Sequence, residues 1–501
     1  MSDSLQQLKK PPYFMLGILF FGAFVSFLNN SLMNVALPTI MADLNIESYA
    51  TGQWLSTGYM LVSGILIPVT AFLLTRFTNR QLFITSMTLF TLGTALAAFA
   101  PNFGFLLTGR MIQAAGSSVM SPLLMNTMLI SFPREKRGAA MGVFGLVMIT
   151  APAIGPTLSG YIVQYHDWRL LFEMILPFAI ISLVLAVFKF QNIMPTSKAS
   201  LDYLSVVMST LGFGGLLYGF SSASTDGWGD PIVISTIAVG AIMVILFTVR
   251  QFKMERPLLN LSVYKHPMFA LASLISVVNS AALFSGMILT PAYVQTVRGI
   301  SALDSGLMML PGAIVMGIMS PITGKLFDKF GPKILGIVGI GITCITTYLM
   351  TYFDLNTTHA YIITLYSVRM FGISMVMMPI MTNGLNQLPT RLNPHGTAVN
   401  NTLNQVAGAL GTAIFVSIMN SRAESSITEQ FSKVDLTTIT DVDKAHITQL
   451  GMLDGIQFAF LIATFTTVVA LILTFFIKRV DVSKEAVARM EAEDAAAVSK
   501  A

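Results

Sequence analysis

Charge is what this chain has least of. Only 11% of its 501 residues are Asp, Glu, Lys or Arg, while 54% are hydrophobic. A soluble domain carries roughly 25% charged residues. So few charges cannot cover a water-facing surface of this size, which excludes a soluble enzyme, a disordered chain and a nucleic-acid binder. Cysteine is nearly missing as well: Cys344 stands alone in an apolar run, which excludes a disulfide framework and a multi-cysteine metal site. No secretory signal is evident, because the first apolar run is long and has no small-residue cleavage site. No G-x-x-x-x-G-K-[ST] phosphate loop occurs, and the polar segments are too short for a nucleotide-binding domain. Neither nucleotide nor nucleic acid is an expected partner.

Long apolar runs are what the chain has in excess. A bilayer-crossing helix needs about 20 mostly apolar residues. Fourteen runs of that kind lie near 14–37, 51–75, 81–100, 104–128, 139–163, 169–188, 203–222, 231–249, 268–295, 304–324, 333–353, 360–384, 397–420 and 455–477. The fold class expected is therefore an all-α integral membrane protein. An even count puts both termini on one side. With the N-terminus inside, 22 of the 29 Lys and Arg fall in inner segments and five in outer ones. That is the positive-inside bias, and it predicts a multi-pass protein of the cell membrane with both termini cytoplasmic. Residues 421–454 read as a long outer loop with acidic excess, and 478–501 as a frayed, charged cytoplasmic tail. Both are expected to be peripheral.

The chain repeats itself. Leu106-Leu107-Thr108-Gly109-Arg110-Met111 in span four and Leu365-Tyr366-Ser367-Val368-Arg369-Met370 in span twelve each set one Arg in an otherwise apolar helix. Spans 1–6 and 9–14 then correspond. This divides the chain into a six-helix bundle (1–190), two inserted helices with linkers (191–265), a second six-helix bundle (266–480) and a tail (481–501). Repeated halves that meet at a midplane site are the architecture of many secondary transporters. With no ATP-binding loop, an ion gradient is the natural energy source.

Three charges lie within spans: Arg110, Glu173 and Arg369. A charge at that depth costs at least about 2.5–3.5 kcal/mol and must face protein or a water-filled cavity. Arg110 stays protonated, so it either tunes a neighbour or braces helices through backbone carbonyls. Gln113 shares its helical face. Glu173 reads as the one carboxylate inside the bilayer, where burial would raise its pKa toward neutrality. It could then carry a proton, or it could simply reach the interface and pair with Arg169. Uncharged polar groups cluster as Asn29, Asn30 and Asn34 in span one, Gln53, Trp54 and Tyr59 in span two, and Asn400 and Asn404 in span thirteen. These can line a cavity or bond between helices. The 32 Met and 35 Phe suit a soft cavity lining. Span five carries Gly155, Pro156 and Gly160, which permit close approach and a bend. The loop after span ten holds Gly324, Asp328 and Gly331. Asp328 there can meet a helix N-terminus or bases of the other half, such as Arg137.

These residues resemble the major facilitator superfamily, most of all its fourteen-helix drug/proton antiporters, the lincomycin-resistance type of multidrug exporter among them. The resemblance runs from Asn34-Val35-Ala36-Leu37-Pro38 to span fourteen. Arg110, Gln113, Ala114 and Gly116 match the helix-four motif. Gly155-Pro156 and Ser159-Gly160 match the antiporter motif. Gly324, Leu326, Asp328, Gly331 and Lys333 match the loop motif. The resemblance implies two six-helix bundles, alternating access, no cofactor beyond the proton-motive force, and small lipophilic drugs and protons as partners of a monomer. Two departures stand out. Many relatives carry an Asp in helix one where this chain has Asn29, which cannot titrate; this shifts the proton site toward Glu173 or Asp304. The first-half loop copy has Thr75 at the acidic position, which either weakens that gate or leaves it to Arg76 and Arg80 on helix-end carbonyls. A proton-coupled multidrug exporter is the leading expectation. A dedicated exporter of one metabolite or lipid, an uncoupled facilitator and a non-transporting sensor are the alternatives.

Overall fold

The structure, a computed structural model, describes residues 11–46, 49–194, 196, 201–223, 227–254, 257–433 and 440–499. Among them every regular element is helical. The first repeat comprises α1 (Tyr13–Asp43), α2 (Tyr49–Arg76), α3 (Asn79–Ala98), α4 (Phe103–Ser117), α5 (Met120–Ser131), α6 (Arg137–Tyr165) and α7 (Leu170–Lys189). Two further helices follow, α8 (Tyr203–Ala223) and α9 (Pro231–Lys253). The second repeat comprises α10 (Pro267–Ala292), α11 (Ala302–Phe330), α12 (Pro332–Leu349), α13 (His359–Asn386), α14 (Asn393–Ser432) and α15 (Asp441–Phe475), and the chain closes with α16 (Lys484–Ser499).

Thirteen helical segments among the described residues are long and apolar enough to cross a membrane. The fourteenth crossing is the pair α4–α5, of 15 and 12 residues, and so span four is broken rather than continuous. Pro122 explains the break. It has no N–H for the Ser118 carbonyl four residues back, and its ring crowds that carbonyl. The Ser118 hydroxyl turns back onto the Ala115 carbonyl at 2.9 Å, a bond that competes with the helical ladder. With this pair counted as one crossing, the fourteen spans stand as the sequence indicates.

Residues 421–454 correct a second expectation. They are not a loop for most of their length: α14 runs on to Ser432 and α15 starts at Asp441. At 1.5 Å per residue the 40 residues of α14 extend about 60 Å, twice a bilayer core of about 30 Å. The two helices stay together beyond the bundle because Gly451 and Gly455 bring α15 against Ile427, Ala423 and Met419 of α14. Arg422 and Asp454 pair across them at 2.8 Å.

Small residues set the closest crossings. Between the halves, α6 and α11 run antiparallel in contact along their length. A Cβ on Gly142 would meet the Ser320 carbonyl and Pro321, one on Gly317 would meet Thr150 and Leu146, and one on Gly160 would meet Leu303. Within the first half, the Ser159 hydroxyl donates to the Leu32 carbonyl at 2.6 Å, fixing α6 on α1. The first and last described residues, 11 and 499, lie at one end of the bundle, called here the terminal end; the other is the far end. At the far end Asp43 accepts from Trp168 Nε1 and from Arg169 Nη1, both at 3.0 Å. These two bonds hold its carboxyl below the usual range.

Candidate functional site

The site lies between the halves. Met125 of α5 and Phe144 and Met148 of α6 face Asn279 of α10, Met377 and Met381 of α13, and Asn400, Asn401 and Asn404 of α14 across one cavity. The cavity measures about 30 Å³. That is room for a water molecule, whereas drug-sized ligands need about 300–1,000 Å³. The halves must therefore move apart before anything larger enters. No Asp, Glu, Lys, Arg or His side chain lines it. The lining polar groups are amides and hydroxyls: Ser280 Oγ donates to Asn404 Oδ1 at 3.1 Å, and Asn401 Oδ1 accepts across the halves from Ser121 Oγ, outside the lining, at 3.3 Å. Asn400, 3% exposed, has a carbonyl oxygen with no partner among the described residues. A buried acceptor left unpaired costs about 1–3 kcal/mol, which a ligand N–H or O–H could offset.

Of the ten residues expected to line a cavity, Asn400 and Asn404 do so. Asn29 is buried elsewhere in α1 and Asn30 is exposed; the side chain of Asn34 lies outside the described residues. Gln53 is half-buried. Trp54 stacks on Tyr218 of α8, ring centres 5.8 Å apart, so it packs against the inserted hairpin instead. Tyr59, Gln113 and Arg369 belong to bracing networks that hold the helices together. The sequence reading missed Asn279, and it placed Asn401 in the polar cluster of span thirteen without assigning it to the cavity that it lines. Their participation follows from how α10 and α14 rotate against α5, which no local pattern encodes.

The two span arginines are fully buried, and each ties three helices. Arg110 Nε donates to the Leu55 carbonyl of α2 at 3.4 Å, and Nη1 donates to Gln113 Oε1 at 3.2 Å. Gln113 Nε2 then donates to Thr94 of α3 at 2.8 Å. The Arg110 guanidinium lies 4.3 Å over the Tyr59 ring, a cation–π contact. Arg369 Nε donates to Thr347 of α12 at 3.1 Å, and Nη2 donates to the Ala282 carbonyl of α10. The repeats therefore use their arginines differently: the first reaches span two, the second the copy of span one. Gly286 leaves the room that the Arg369 guanidinium fills.

The enclosure expected of Glu173 is not found. Glu173 is exposed in the first turn of α7, not enclosed, because the buried face of that turn is taken by Leu171 and Phe172. Asp304 is exposed too. It lies in the first turn of α11, which Ser301 caps: the Asp304 backbone N–H donates to Ser301 Oγ at 3.1 Å, and the Ser301 hydroxyl donates to Asp304 Oδ2 at 2.8 Å.

The gate residues fare differently. Asp328 accepts from the backbone N–H groups of Gly138 and Ala139, both at 2.9 Å, and so caps α6 of the other half. It meets the helix terminus and not Arg137, whose guanidinium donates to Asn386 Oδ1 and the Leu129 carbonyl. Gly324 crosses α6 at Gly138 and Gly142, and Gly155 crosses α1 at Ser31; the Pro156 side chain lies outside the described residues. Gly331 has φ +79°, a left-handed turn that glycine adopts without strain. On the first-half copy, Arg80 Nη2 donates to the Val187 carbonyl at 2.6 Å, a helix-end carbonyl as expected, but of its own half. Arg76 is exposed in the last turn of α2. The bond of Arg80 therefore stays within the first half and does not cross the seam.

The Major Facilitator Superfamily model matches residues 19–412. The lincomycin resistance protein LmrB of Bacillus subtilis is 44% identical, the match covering 95% of this chain and 98% of that protein. The multidrug resistance protein B homolog of Mycobacterium tuberculosis is 28% identical over 84% of this chain and 79% of its own. Among solved structures, the human organic anion transporter MFSD10 superposes with a TM-score of 0.63 at 13% identity, covering 93% of this chain and all of that one.

Proposed function

The chain belongs to the Major Facilitator Superfamily, and on that premise we propose that it exports drugs by exchanging them for protons. It is a multi-pass membrane transporter of the drug-efflux kind and not an enzyme. The finer reading is antiport of apolar or amphipathic compounds by alternating access, with the terminal end cytoplasmic, in the cell membrane, as a monomer that uses no nucleotide. One observation carries it: a cavity between the two halves, lined by methionine and uncharged amides, that is too small to admit a drug until the halves part. Thioether and aromatic groups adapt to varied apolar shapes, while amides orient a polar end. At 100 mV one proton charge supplies about 2.3 kcal/mol, enough for a gradient of about 50-fold. Glu173 and Asp304 are the carboxylates proposed for the proton step, with Arg110 as an electrostatic support.

The test uses purified protein in liposomes with an imposed pH gradient. Ethidium and, separately, lincomycin are added while lumenal pH is followed. Proton movement with both compounds supports a polyspecific antiporter. Drug flux without proton movement would overturn the coupling, and unchanged coupling in Glu173→Gln would remove Glu173 from the proton step.

A further inference from the structure

We propose that the C-terminal helix α16 is a strap that holds the terminal end shut, with Glu491 as its buckle. This rests on the alternating-access reading above. The sequence pattern leaves the tail as a frayed helix without a role. In the structure one face of α16, at Ala486, Val487, Met490 and Glu491, is half-buried, while Glu485, Ala488, Arg489 and Glu493 are exposed.

The tail is first moored to the second half. Asn383 of α13 donates from Nδ2 to the Lys478 carbonyl at 2.9 Å, and its Oδ1 accepts from the Val480 N–H at 3.0 Å. Arg479 Nη2 donates to the Asp328 carbonyl at 2.6 Å. From that mooring α16 reaches the seam, where one oxygen of Glu491 serves both halves. Oε1 accepts from the Thr390 N–H at 3.0 Å and the Thr390 hydroxyl at 2.8 Å, in the turn between α13 and α14. The same oxygen accepts from Arg134 Nη2 at 3.2 Å, in the turn between α5 and α6. Arg134 is an N-half residue whose other bonds also cross the seam, to the Asn386 and Leu388 carbonyls at the end of α13.

Its side chain is only 6% exposed, and Glu491 is 37% exposed. The carboxylate is the one acidic partner of a nearly buried guanidinium among the described residues. Opening the terminal end must pull Arg134 away from α13, and with α16 in place it must also break this pair. Hydrogen bonds to charged groups are the strong ones, so the strap biases the equilibrium toward closure and sets how readily that end opens.

The experiment reads the equilibrium directly, in the full-length chain. Spin labels go on Phe77→Cys, after α2, and Lys333→Cys, at the start of α12, in a Cys344→Ser background. Both sites are exposed, and they lie on opposite halves at the terminal end. Glu491→Lys sets a cation against Arg134. Glu485→Lys makes the same charge change on the exposed face. The expected result is about a tenfold rise in the long-distance population for Glu491→Lys, equal to about 1.4 kcal/mol. Glu485→Lys should match the parent, and both should melt at the parent's temperature. Distance distributions that are the same in both variants and the parent would overturn the strap. Drug flux in liposomes decides the transport reading separately: a parent with no flux defeats that reading, whereas flux with unmoved distances defeats the strap alone.

Discussion

Asp328 and Gly138 come from opposite halves and fit only each other's dimensions. The carboxylate accepts the Gly138 N–H at 2.9 Å, and a Cβ on Gly138 would strike that same carboxylate, Phe327 and the Gly324 carbonyl. An anion at a helix N-terminus is favoured by the dipole and by the free N–H groups. Asp328→Asn should weaken closure of the terminal end by about 0.5–2 kcal/mol. Gly138→Ala should weaken it further by wedging α6 from α11. Label distances across that end measure both, and an unaltered distribution in Gly138→Ala would show that the crossing is not tight.

Arg369 depends on a missing side chain. Gly286→Ala would drive a methyl group into the guanidinium that ties α13 to α10 and α12. Overpacking of this kind costs about 1–3 kcal/mol. Gly341 of α12 has nothing within 4 Å of its would-be Cβ, so Gly341→Ala should be neutral or stabilising by up to about 1 kcal/mol. Thermal unfolding in detergent compares the two. Equal melting temperatures would mean that Arg369 moves aside without loss.

Asn400 offers the cavity a free acceptor. Asn400→Leu should raise the KM for a hydroxylated or amide-bearing drug about three- to tenfold, the worth of one neutral hydrogen bond. For a purely aromatic cation it should change KM little. Initial flux rates with both substrates give the ratio, and an equal change for both would remove Asn400 from recognition.

Asp202 fastens the inserted hairpin. It accepts from Arg250 Nε at 2.9 Å and Nη2 at 3.0 Å; these bonds, with that of Ser205, hold its carboxyl down to about 2. A lowered pKa means that the unfolded chain binds more protons, so stability rises with pH in that range. The contribution is complete above about pH 4 and fades as pH falls toward about 2. Melting temperature against pH should show this slope in the parent and a shallower one in Asp202→Asn, since Asp43 and other lowered carboxylates keep their share. Parallel curves would place the acid sensitivity elsewhere.

The fourteen crossings were legible because each is a long apolar run, and length is a constraint the bilayer imposes. The bond between the Arg80 side chain and a helix-end carbonyl, and the cap that Asp328 supplies, were also legible. Each rests on charge meeting a helix terminus, which spacing makes visible. The exposure of Glu173 was not legible because an apolar run says that a residue is surrounded by hydrophobic neighbours in sequence. It does not say which side of the helix faces the core. Tyr59 and Gln113 misled for a related reason: a polar group in a span must find a partner, and the nearest partner was Arg110 or its neighbour, not a cavity. The role of α16 was hidden because its seat is assembled from Arg134 and Thr390, residues distant from it and from each other along the chain.

The inserted hairpin gives the molecule a handed rim. Tyr218 stacks on Trp54 of α2 while Trp228 donates to Ser417 of α14 at 2.6 Å, so α8 and α9 roof the boundary between α2 and α14. The boundary between α6 and α11 has no such roof among the described elements. A lipophilic solute travelling within the bilayer thus meets two unlike flanks, one shuttered by an extra layer and one a single helix thick.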